Sequence, residues 1–123
     1  MLVLIRGAGD IATGIALRLW RSHIQVIMTD LAQPTAIRRT VAFSPADTPS
    51  HARELLAEGI IPVLADPEGR CIPILRPDAV VDAILAKRNL GTCITDAPVV
   101  VGVGPGFTAG QDCHAVIETM RGH

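Results

Sequence analysis

A chain of 123 residues is the size of one ordinary domain. Its residues are 49% apolar but only 2% aromatic, with no Tyr, and mean hydropathy is +0.39; the core must come from Val, Ile, Leu and Ala, and disorder is excluded. The formal net charge of −1, with no basic run, speaks against a nucleic-acid surface, and no apolar run is long enough to span a bilayer.

Leu2 to Ile5 is a short apolar run ending in glycines and reads as a first strand; Arg6 follows it and no basic stretch precedes it, so it is not a signal peptide. A helical pattern comes next, with Ile11, Ile15 and Leu19 on one face beside Ala12 and Ala16, and Arg18 and Arg21 on the other. Gln25 to Thr29 is a second strand, closed by Asp30. Pro34 suits the first turn of a helix over Thr35 to Arg39, and Val41 to Phe43 reads as a short strand. Ala46 to Ser50 is turn-like; Pro49 and Ser50 open a helix to Glu58, with Gly59 as its stop. Ile60 to Ala65 is a strand, Asp66 to Gly69 a turn, and Ile72 to Leu75 an edge strand because it holds Pro73. Ala79 to Leu85 and Val99 to Val103 are strands, and a last helix is expected from Gln111 to Met120 with Cys113, Val116, Ile117 and Met120 as its apolar stripe. The chain stops at Arg121-Gly122-His123 without a following strand, which reads either as a truncated end or as a helix stopped at Gly122.

Gly7-Ala8-Gly9-Asp10-Ile11-Ala12 fits G-x-G-x-x-[G/A] between a strand and an amphipathic helix. The first glycine permits the tight turn, the second leaves bare backbone for a phosphate, and Ala12 lets the helix pack close. The helix amino terminus then offers unpaired N–H groups to an anion. Asp30 stands 23 positions after Gly7, where a carboxylate accepts from ribose hydroxyls. Asp10 cuts against this: it caps the helix itself, selects against a pyrophosphate, or calls for a neutralising cation.

Val99 to Gly110 repeats the strand and glycine-rich loop, and Gly104 and Gly106 are expected to form an anion-binding nest with the Thr108 hydroxyl. Lys87 and Asn89 should reach the same sheet edge; Arg38 and Arg39 are candidates for a ribose 2′-phosphate. His114 and Glu118 would share a face of the last helix, but no second ligand cluster accompanies them, so no metal site is expected. Asp82, inside an apolar strand, either faces a neighbour or is held by hydrogen bonds. Cys71, Cys93 and Cys113 are too widely spaced for a redox motif and read as free thiols, which points to the cytoplasm.

The alternation of strands and helices predicts one α/β domain over residues 1–123, Rossmann-like and doubly wound, with a mostly parallel sheet and helices on both faces. Its ligand would be a phosphate-bearing small molecule: NAD(P), a mononucleotide or a molybdopterin-type cofactor. No catalytic residue stands out, so whether the domain is an enzyme stays open, as does a homo-oligomer.

Several longer strings are more specific than the fingerprint. They are Val3 to Gly14, Leu31 to Ser44, Val81 to Thr92, and Gly102 to Gly110 with Asp112 to Thr119. Together they resemble the bacterial accessory proteins associated with selenium-dependent molybdenum hydroxylases, similar to the Rossmann part of xanthine dehydrogenase accessory factors. The resemblance implies a maturation factor acting on a molybdenum hydroxylase apoenzyme, in sulfur or selenium insertion, to which the Cys113 thiol would be relevant. Ser44 to Ser50 is shorter than that family's pattern, and the family chain continues past His123. The alternative from the residues themselves is an NAD(P)-dependent oxidoreductase.

Overall fold

The computed structural model describes residues 1–30 and 42–119. The elements, in chain order, are β1 (Leu2–Arg6), α1 (Asp10–Arg21), β2 (Gln25–Asp30), β3 (Phe43–Ala46), α2 (Pro49–Ala57), β4 (Ile61–Ala65), α3 (Ile72–Leu75), β5 (Ala79–Asp82), β6 (Val99–Val103) and β7 (Ala115–Ile117). They form a seven-stranded sheet in the order β3-β4-β2-β1-β5-β6-β7, with every pairing parallel. The chain winds outward from β1 through β2, then returns to lay β5 on the other side of β1. The switch point of this Rossmann-like sheet therefore lies between β1 and β5.

The two-residue period of the strands sorts the core into two layers. Val3, Ile5, Val26 and Met28 meet Ala12 and Ala16 of α1 on one face. Leu4, Ile27, Val80 and Val100 meet Ala52 and Leu55 of α2 and Ile72 and Leu75 of α3 on the other. Alanines at 12 and 16, both wholly buried, let α1 approach the sheet closely. Helix α2 begins at Pro49 as read, and the structure adds its N-cap: Thr48, with Oγ1 accepting from the His51 amide at 3.1 Å. No helix among the described residues is long and apolar enough to cross a membrane.

Three expectations are corrected. Ile72–Leu75 is a helical turn with Ile72 and Leu75 buried and Ile74 exposed, not an edge strand; Pro73 sits in its first turn, where no N–H is needed, and Arg76 ends it in the left-handed region at φ 50°. Ala79–Asp82 stops three residues before Leu85, which itself turns to φ 62°. The last helix does not form. Asp112 and Gly110 close turns instead, and Ala115–Ile117 adds a strand to the free edge of β6. Of the short strand read at Val41 to Phe43, Val41 lies outside the described residues, and β3 runs from Phe43 to Ala46. The helix over Thr35 to Arg39, with Arg38 and Arg39, lies outside the described residues.

Candidate functional site at the carboxyl edge

All strands are parallel, so every loop that follows a strand lies along one edge. The β1–α1 turn, Asp30, the loop after β5 and the second glycine loop all stand there. What the residues do at that edge differs sharply between the two glycines of the first motif. Gly7 has φ 116°, and a Cβ on it would lie 2.7 Å from the Ala83 carbonyl oxygen; its amide donates to Thr29 O at 2.7 Å. Gly7 thus seals β1 against the chain leaving β5. Gly9 is the N-cap of α1, exposed, with ordinary backbone angles and open space where a Cβ would go. No side chain caps this helix, so the expectation that Asp10 does so is corrected: Asp10 is the first helical residue and is exposed. Ala8 is half-buried, Ile11 is 40% exposed and Ala12 is buried against the sheet. The first-turn amides of α1 are therefore left for solvent or an anion. Asp30 closes β2 on the same edge, half-buried, beside Ala65 in register.

The second glycine loop is shaped mainly by packing. A Cβ on Gly104 would meet Leu85 Cδ2 at 2.9 Å, and one on Gly106 would meet the Arg88 and Asn89 backbone at 2.8–2.9 Å. The Gly104 amide donates to Ile117 O, Gly110 to Cys113 O, and Thr108 to Asp112 Oδ2. Of the expected nest, the Gly104 amide is thus engaged, while the Gly106 amide and the Thr108 hydroxyl have no partner among the described residues. Asn89 is engaged too: its Oδ1 accepts from the Gly91 and Thr92 amides, and its Nδ2 donates to Thr92 O. Lys87 is exposed on this segment. The chain from Ala83 to Asn89 thus fills the space between the two glycine bends, and the open ground is above Gly9. A cleft of about 340 Å³ lies farther out, over Gly104, Phe107 and Glu118, and another of about 280 Å³ over Asp66 and Arg70.

Beneath the edge lies a polar network that the sequence reading did not assemble. Arg6 is 1% exposed; two positions after the buried Leu4, it shares that residue's face and so points into the α2 and α3 layer. Its guanidinium donates to Thr92 Oγ1 at 2.7 Å, Pro67 O at 3.0 Å and Leu90 O at 3.4 Å. Thr92 Oγ1 in turn donates to Asp82 Oδ2 at 2.6 Å, and Asp82 Oδ1 accepts from the Ile84 amide. Asp82 is thus held by hydrogen bonds, the second of its two readings. The signal for Arg6 was present: a strand residue two positions after a buried leucine, next to the only acid in a neighbouring apolar strand.

Asp66, after β4, accepts from the Arg70 and Cys71 amides at 2.9 Å each. Burial works to raise its carboxyl, but hydrogen bonds from Cys71 and Arg70 and the Arg6 charge hold it below the usual aspartate value. Burial, with the Asp66 carboxylate beside it, pushes the Cys71 thiol far up, which leaves it inert. Cys113 is wholly buried, though β-bridged to Ala109 and not on a helix, and only Cys93 of the three is exposed. Iodoacetamide at pH 8 is expected to add one label to the native protein, at Cys93, and three in urea; a native label on Cys71 or Cys113, read by mass spectrometry, would contradict this burial. His114 and Glu118 flank β7 and no longer share a helix face; His114 Nδ1 accepts from the Val100 amide at 2.9 Å. Among the described residues no group of three or more His, Cys, Asp or Glu is placed to hold a metal ion.

The chain is similar to the uncharacterized protein YqeB of Escherichia coli (strain K12), with 51% identity over 138 residues that take in 99% of this chain and 26% of the relative. It therefore spans about a quarter of that relative's length. The aligned stretch is longer than the 123 residues here, so the relative carries extra residues within it. No protein-family model matches the chain, and no solved structure matches it.

Proposed function

We propose that this domain binds a phosphate-bearing small molecule at the β1–α1 turn and serves as a maturation factor for a molybdenum hydroxylase, of the selenium-dependent kind. The observation that carries the binding is the amino end of α1: Gly9 caps it without a side chain, in open space, beside the β1–β5 switch point. A nucleotide or a molybdopterin-type cofactor would place its phosphate on the amides of Gly9 to Ala12. The maturation role rests on the four sequence strings that carry the family resemblance. The partner would be the hydroxylase apoenzyme, and the setting the cytoplasm.

The position of Asp30 favours a second reading, an NAD(P)-dependent oxidoreductase, because a carboxylate at the end of β2 suits a ribose diol. Thermal shift separates the two. A ligand at 100 times its Kd stabilises the native state by about 2.7 kcal/mol, a shift of several degrees. A panel of mononucleotides, NAD, NADP and molybdopterin is expected to contain at least one such ligand, and Gly9→Val should abolish its effect while lowering the melting temperature of the free protein by only a few degrees. NAD or NADP alone, with loss in Asp30→Ala, would favour the oxidoreductase. No shift from any phosphorylated ligand would end both readings.

A further inference from the structure

A further cleft lies at the opposite edge, where α1 and α2 end. These two ends are built alike. In α1 the His23 amide donates to Trp20 O and the Ile24 amide to Leu19 O. In α2 the Gly59 amide donates to Leu56 O and the Ile60 amide to Leu55 O. Both are the same left-handed cap, in which the residue after the C-cap must take a positive φ. In α2 that residue is Gly59, at φ 77°; in α1 it is His23, at φ 64°. The fold therefore contains its own control: glycine serves at one cap, and an imidazole is held against its backbone preference at the other.

The cap's backbone bonds hold His23 there; its side chain adds nothing to them. Neither its imidazole nor the Arg21 guanidinium has a hydrogen bond or ion pair among the described residues, and both residues are exposed. Both border a cleft of about 390 Å³. Its walls are Trp20, Ile24, Leu56 and Ile60, and the indole is fixed by its Nε1 donating to Gly59 O at 2.9 Å. The carbonyls of Leu19, Trp20, Leu55 and Leu56 accept bonds within the caps, while the negative ends of both helix dipoles face this edge, so an anion here must be held by the basic side chains. The cleft thus joins an apolar body to two unpaired basic groups, one of them kept at a conformational cost.

We propose that the cleft between the carboxyl ends of α1 and α2 is a second binding site, for a small carboxylate with an apolar or aromatic body. Trp20 and the aliphatic residues receive the body; Arg21 and His23 receive the carboxylate. The site lies across the sheet from the glycine loops and does not depend on what binds there.

Trp20 is the only tryptophan, so its indole N–H gives a single signal in an amide correlation spectrum. Titration with 2-naphthoate as the probe is expected to move that signal saturably at millimolar concentration or below. Arg21→Gln and His23→Gly should each weaken binding about fivefold or more. His23→Gly should at the same time raise the melting temperature by a few degrees, because glycine relieves the left-handed position. The neutral analogue 2-naphthalenemethanol should bind at least as weakly as 2-naphthoate does to Arg21→Gln. No saturable movement of the indole signal would overturn the proposal. So would equal affinity for the neutral analogue, or unchanged binding by a His23→Gly protein that has gained stability.

Discussion

Replacing Arg6 by methionine is expected to cost about 3 to 5 kcal/mol of folding stability, because several buried acceptors lose a charged donor and the buried Asp82 loses the nearby positive charge reached through Thr92. The methionine fills much of the same volume, so the loss would be chiefly electrostatic. Without the guanidinium, the Thr92 hydroxyl and the carbonyls of Pro67 and Leu90 lose their donor. Asp82, 2% exposed, keeps only Thr92 and the Ile84 amide. The double variant Arg6→Met with Asp82→Leu removes both charges together, and should recover a large part of the loss. Urea unfolding of the two single variants and the double one gives the coupling directly. A loss under about 1 kcal/mol in Arg6→Met, or strict additivity in the cycle, would mean that Thr92 does not transmit charge between the two. The network also explains how the connection from β5 to β6 stays ordered with no helix in it. Arg6 fastens it at Leu90 and Thr92, and the Asn89 side chain closes the intervening turn.

What was legible in the sequence were features whose cause is local. A glycine turn between an apolar run and a helical stripe can scarcely be built otherwise, and β1, α1 and β2 formed where the pattern put them. Thr48-Pro49 and Gly59 bracket α2 by the same kind of local chemistry. The failures are places where a distant partner decides. Ile72–Leu75 is a four-residue apolar run, and period alone cannot tell a buried strand from a buried turn of helix. The stretch after Gly110 has apolar residues at helical spacing, yet Val116 and Ile117 are β-branched and the edge of β6 was free to pair with them. The site divides in the same way. Gly9 and Ala12 stand as their motif requires, whereas the engagement of Asn89 and of the Gly104 amide depends on loops that meet only in the folded chain.

That division predicts opposite outcomes for two residues of one motif. Gly7→Ala is expected to lose about 3 to 5 kcal/mol, or to fail to fold, because two costs act at once. An alanine at φ 116° lies where non-glycine residues are strained by about 1 to 3 kcal/mol. Its methyl would also stand 2.7 Å from the Ala83 carbonyl, on backbone that the Arg6 O to Ala83 N bond fixes, and overpacking of this kind costs about 1 to 3 kcal/mol more. Gly9→Ala meets neither cost and gives up only the advantage of glycine at an N-cap, about 1 kcal/mol or less. Denaturant melts of the two variants read the contrast in one experiment. A Gly7→Ala protein as stable as Gly9→Ala would show that β1 and the chain after β5 can part. In that case the room for a ligand would lie between them, and not above the end of α1.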